Sequence, residues 1–153
     1  MFSLKTVNNL LALCSKRRYI VRGDSMLPTF RNGQHILVDF MLYIETAPAI
    51  GDVVIVSDSI DSDVHSMKRI IGLPGQELKI EDGLIEVDGI YLSEPYLGGL
   101  PSTLGPNFQY EKLGPEEYFI LGDNRTRSTD SRHFGPIKSG QIVGKVCFRY
   151  WPV

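Results

Sequence analysis

Turn signals recur at short spacing along this chain and leave little room for a long helix. Gly51-Asp52, Leu73-Pro74-Gly75, Glu81-Asp82-Gly83 and Asp88-Gly89 each border short runs rich in Val, Ile and Leu. Gly and Asp accept the positive φ angles of tight hairpins, and Pro presets one dihedral of a turn. With 15 Gly and 9 Pro in 153 residues, turns interrupt the sequence before a helical period can establish itself. The intervening runs read as strands over Tyr19–Val21, His35–Val38, Phe40–Ile44, Val53–Val56, Met67–Ile71, Leu78–Ile80, Leu84–Val87, Tyr118–Leu121 and Ile142–Tyr150. Ser57–Asp63 and Gly98–Asn107 read as loops. Short strands joined by tight turns predict a mostly β fold, an antiparallel and barrel-like domain.

The length fits one such domain over residues 19–153, preceded by an amphipathic segment over residues 1–18. On a helical wheel Leu4, Val7, Leu10, Leu11, Leu13 and Cys14 share one half; Lys5, Asn8, Asn9, Ser15 and Lys16 share the other. The pattern predicts a short N-terminal helix. Its apolar face either packs on the domain or lies on a membrane surface, with Lys16, Arg17 and Arg18 near anionic headgroups. No run of about 18 apolar residues occurs, so no transmembrane helix is expected in this chain. The basic residues follow the apolar stretch, the reverse of a cleavable signal peptide. A net charge of −2 argues against a nucleic-acid partner, which calls for a basic face. Cys14 and Cys147 form no metal-ligand pair and lie in no activating context, so both are expected to be packed free thiols. Neither a metal nor a cofactor is implied.

Three segments carry candidate chemistry. In Gly23-Asp24-Ser25-Met26-Leu27-Pro28-Thr29 a serine sits between a strand and a Pro-containing turn, on backbone rigid enough for an attacking hydroxyl. By itself such a string more often caps a turn. In Met67-Lys68-Arg69-Ile70-Ile71-Gly72-Leu73-Pro74-Gly75, strand alternation puts Lys68 on a face with Ser66 and Ile70, and Arg69 on the other with Met67 and Ile71. One of these two cations must face apolar groups, where burial favours the neutral amine. A lysine base near neutral pH needs its pKa lowered by roughly three units, about 4 kcal/mol of stored destabilisation. The alternative is a lysine that snorkels or is paired. The third segment, Gly122 to Pro136, alternates acids, bases and hydroxyls densely; Asp123 and Asp130 are expected to orient Arg125 and Arg132.

Together and in this order, these segments resemble bacterial type I signal peptidases, Ser/Lys endopeptidases that remove signal peptides. The likeness runs from about Val21 and includes Gly51-Asp52-Val53, Ser93-Glu94-Pro95-Tyr96 and Arg149-Tyr150-Trp151-Pro152. It implies a mostly β catalytic core over residues 19–153, with Ser25 as nucleophile and Lys68 as general base. Ser128 would direct the Lys68 amine, supported by a salt-bridge network of Asp123, Arg125, Asp130 and Arg132. A preprotein would lie extended along the segments before Ser25 and Lys68, with Gly23, Asp24, Met26, Ser66 and Met67 around it. Shallow apolar pockets would take small residues, Ala-x-Ala, before the cut. The resemblance also implies a membrane-associated protein acting on the extracytoplasmic side, although relatives usually carry one or two N-terminal transmembrane helices and this chain offers only its amphipathic stretch.

Three other readings are compatible with parts of the sequence. A Ser-His-Asp hydrolase would need one of His35, His65 and His133, none of which sits in a triad motif. A soluble maturation protease of the same clan, such as those processing nickel superoxide dismutase, shares Ser-Met-x-Pro-Thr and the terminal Tyr-Trp-Pro. A catalytically silent scaffold would be expected to have lost Ser25 or Lys68.

Overall fold

The computed structural model describes residues 16–58, 64–99 and 107–152. Their strands are β1 (Lys16–Ile20), β2 (His35–Asp39), β3 (Val53–Ser57), β4 (His65–Gly72), β5 (Leu78–Glu81), β6 (Leu84–Val87), β7 (Ile90–Tyr91), β8 (Phe108–Tyr110), β9 (Glu117–Leu121), β10 (Ile137–Lys138) and β11 (Ile142–Trp151). Two single-turn helices, α1 (Leu42–Glu45) and α2 (Ser131–Phe134), join them. A seven-stranded sheet runs β1-β2-β11-β3-β4-β9-β10 and a four-stranded sheet runs β7-β6-β5-β8. Every pairing is antiparallel and the larger sheet curls into a half-barrel, as the turn spacing predicts.

Both faces of the larger sheet are covered, and the alternation of β3 shows how. Val53 and Ile55 join Val21, Met26, Phe30, Ile36, Val38 and Val146 on one face. Val54 and Val56 join Ile70, Tyr118, Ile120 and Ile137 on the other. A third cluster forms where the small sheet folds against β4 and β9 through Ile71, Phe119 and Leu121. Asp82-Gly83 and Asp88-Gly89 make the hairpins of the small sheet, all four at φ between 50° and 83°. Asp in the left-handed region followed by Gly twists with the strands it joins.

Three expectations need correction, and one strand lies where none is expected. Phe40–Ile44 does not continue as a strand. The Asp39 carboxylate accepts the Met41 N–H at 2.9 Å and turns the chain into α1, closed where Leu42 C=O takes the Thr46 N–H. The first strand begins at Lys16 and pairs from Lys16↔Asp39 to Ile20↔His35, so residues 16–18 belong to the sheet and not to the amphipathic segment. β8 begins immediately after the predicted loop's last residue and pairs through only three residues, too few to give a strand pattern. Cys147 is a free, exposed thiol, since β11 turns it outward. The predicted N-terminal helix and Cys14 lie outside the described residues.

Candidate active site

The Ser25 segment is anchored before any chemistry is considered. Val21 and Gln34 close its base through Val21 N–H to Gln34 C=O (2.8 Å) and Gly33 N–H to Val21 C=O (2.9 Å). Met26 and Phe30 plunge into the core, and the Phe30 N–H bonds the Met26 carbonyl. Ser25 is left half-buried at the lip. Its carbonyl accepts the Asn124 N–H at 2.9 Å, while Asn124 Nδ2 donates to the Asp24 carbonyl, tying this loop to the segment after β9.

Gly122 is where these segments meet. A Cβ built there would stand 2.2 Å from Ser128 Oγ and 2.6 Å from the Ser25 carbonyl oxygen. Only a hydrogen fits. Gly122→Ala is therefore expected to cost about 1–3 kcal/mol, the usual range for overpacking. Chemical denaturation would measure it, and a neutral result would mean that Ser25 and Ser128 are not so close.

Lys68 lies beside this junction, on the β4 face that also carries Ile70 and opposite Val54 of β3. The Arg69↔Leu121 pair brings Gly122, one residue past the end of β9, to the level of Lys68. The residue is only 4% exposed and makes no salt bridge among the described residues. Burial pushes its amine below the ordinary lysine range, and the charges of Asp130 and Asp58 restore only part of that. The Ser128 hydroxyl, also buried, lies outside strict hydrogen-bond geometry with every described residue, and stands close enough to Asp130 to help hold that carboxyl low.

The ionic network differs from the predicted pairing in one respect. Asp130 does pair with Arg132, through Nε at 2.8 Å and Nη2 at 2.9 Å. Burial alone would raise the Asp130 pKa; Arg132 and the Gly122 N–H (3.0 Å) outweigh it and hold the carboxyl low. Asp123, by contrast, is taken by Arg69 through a fork of 2.8 and 2.6 Å. Arg125 turns to Glu94 and to the Gly122 carbonyl. Arg69 also stacks 3.8 Å over the Tyr96 ring, and the Thr29 hydroxyl bonds Asp123. Arg69, Glu94, Tyr96 and Thr29 were absent from the predicted support. Arg69 was the cation left over by strand alternation, and Glu94 and Tyr96 sat in a motif with no role attached.

A groove of about 380 Å³ runs past Ser25, walled by Tyr19 to Gly23 on one side and His65, Ser66 and Met67 on the other, with Met26, Ile36 and Ile55 at its floor. Gly23, Met26, Ser66 and Met67 thus border one channel. Asp24 does not; its carboxylate faces Arg127 at 3.8 Å. Of the histidines, His65 borders the groove, His35 packs against Tyr150 and Trp151, and His133 stands exposed beside Asp130. An extended strand-lined groove with a hydroxyl on its lip and a buried amine nearby suits peptide-bond hydrolysis.

Residues 6–151 match the family described as signal peptidase, peptidase S26. Signal peptidase I of Bacillus caldolyticus is 38% identical over 145 residues, covering 88% of this chain and 79% of that protein. Signal peptidase IB of Staphylococcus aureus is 36% identical over 149 residues, covering 88% and 77%. A crystal structure of a signal peptidase I from Enterococcus faecalis superposes with a TM-score of 0.57 at 30% identity, covering 65% of this chain and 97% of that one. Fold, groove and relatives define a peptidase of the curled β-sheet class. Within that class, the chain belongs to the signal peptidase family, peptidase S26. No helix among the described residues is long and apolar enough to cross a membrane.

Proposed function

We propose that this protein is a membrane-associated type I signal peptidase that cuts exported preproteins after an Ala-x-Ala sequence, with Ser25 as nucleophile and Lys68 as general base. The reading rests on a lysine 4% exposed, without an ion pair among the described residues, whose strand register faces Gly122, the residue packed against the Ser25 carbonyl and the Ser128 hydroxyl. A fold keeps a buried, uncompensated amine at a cost, and proton transfer is the return that fits the neighbouring hydroxyls.

In this mechanism the preprotein lies extended in the groove between Tyr19–Gly23 and His65–Met67, with its small side chains toward Met26, Ile36 and Ile55. Neutral Lys68 takes the Ser25 proton, and Ser128 fixes the direction of the amine. The oxygen attacks the scissile carbonyl, and the carbonyl oxygen collects negative charge. The Ser25 N–H, which no acceptor takes among the described residues, is positioned to donate to it. Lys68 then returns the proton to the leaving nitrogen as the C–N bond breaks, and water releases the acyl group. Asp130–Arg132 holds the Ser128 segment, and Asp123–Arg69 with Arg125–Glu94 holds the Ser25 loop against β4.

Incubation with detergent-solubilised preproteins, followed by mass spectrometry of the products, tests the assignment. Cuts are expected with Ala, Gly or Ser at the first and third positions before the bond, and Ser25→Ala should abolish them. Cuts indifferent to those positions, or retained in Ser25→Ala, would replace this reading with another hydrolase.

A further inference from the structure

The groove accounts for the residues before the cut and leaves the other half of the substrate unplaced. A second hollow of about 640 Å³ adjoins it, sharing Ser66. Val56, Val64, Phe134 and Ile137 wall this hollow, and Lys68 lines it from β4. Phe134 and Val64 remain more than half exposed, so a passing chain can reach them.

The chemistry of the leaving group selects this hollow. The proton that Lys68 removes from Ser25 must reach the nitrogen expelled from the scissile bond, and such a transfer needs hydrogen-bond reach. The residue after the cut is therefore held next to the Lys68 amine, on the side where Lys68 lines a cavity that Ser25 does not. With Lys68 neutral in the reactive form, Asp58 is the one formal charge among the described residues lining it. From these placements we infer that the hollow receives the first side chains of the mature chain, and that Asp58 makes it prefer basic or neutral residues there over acidic ones. The inference rests on the proposed assignment of Ser25 and Lys68.

The test uses reporters identical up to Ala-x-Ala and carrying Ala, Lys or Glu at the first position after the cut. At low salt the ratio of kcat/KM for Lys over Glu is expected to be roughly three- to fivefold, the size of one partly screened charge pair. It should fall toward one in Asp58→Asn, invert in Asp58→Lys, and shrink at about 0.5 M salt. Taking the ratio cancels any effect of these variants on Lys68, which acts on both reporters alike. A ratio unchanged by both variants would overturn the placement while leaving the catalytic pair standing. Failure of the Ala reporter itself to be cut would instead remove the catalytic pair, and the hollow's role with it.

Discussion

Lys68→Met is expected to abolish cleavage and to yield a more stable protein. The loss is expected to reach on the order of 10³-fold or more, matched by Ser25→Ala, because the two groups act as one unit. The stability gain follows from the burial of Lys68. Its pKa is lower in the folded chain than in the unfolded one, so the unfolded state binds more protons between the two values. Stability therefore rises with pH across that interval, and below the folded pKa the native state carries a buried charge at a cost. Methionine fills similar space with no charge to desolvate. The melting temperature should rise by roughly 2–4 °C for each kcal/mol recovered in a chain of this size, and the pH dependence of stability in that interval should flatten. Ser25→Ala, at a half-buried position, should change stability by less than about 0.5 kcal/mol.

The same depressed pKa sets the activity profile. Cleavage should climb with pH as Lys68 loses its proton, with a midpoint well under that of a free lysine. Lys68→Arg should be inactive at every pH, since guanidinium keeps its proton. Activity flat from pH 6 to 10, or a Lys68→Met protein less stable than its parent, would refute the account of Lys68 as a buried, neutral amine.

The strands could be read because their signals are local. Asp82-Gly83 and Asp88-Gly89 specify hairpins through the dihedrals they tolerate, and the runs beside them are apolar wherever a face is buried. Phe40–Ile44 misled because its alternation is genuine, yet the Asp39 carboxylate captures the Met41 N–H and diverts the chain. The site divided along similar lines. Asp130–Arg132 is a contact two residues apart and was legible. Arg69–Asp123 spans 54 positions and Arg125–Glu94 spans 31; strand order decides those, and local spacing does not. Strand alternation did show that Lys68 and Arg69 face opposite ways, but not that both would be buried.

Asp123→Ala is expected to be the most destabilising single change in the network. It leaves the Arg69 guanidinium, 7% exposed, with its bidentate acceptor gone and only the Gly51 carbonyl, the Thr29 hydroxyl and the Tyr96 face around it. Breaking a buried pair from one side costs about 3–5 kcal/mol, most of it the uncompensated charge. Against a typical total of roughly 5–15 kcal/mol that is severe. Asp123→Leu combined with Arg69→Met removes both charges, and much of the stability should return. A double-mutant cycle by urea unfolding separates this from a simple loss of packing: the pair variant should be far more stable than the sum of the single losses. Additive losses would mean the two side chains do not share one buried contact. Cleavage should stay low even in the recovered pair. Thr29 bonds Asp123 four residues from Ser25, and without that bond the loop carrying the hydroxyl loses its side-chain link to the Asp123–Arg69 pair and is held to the segment after β9 by the hydrogen bonds of Asn124.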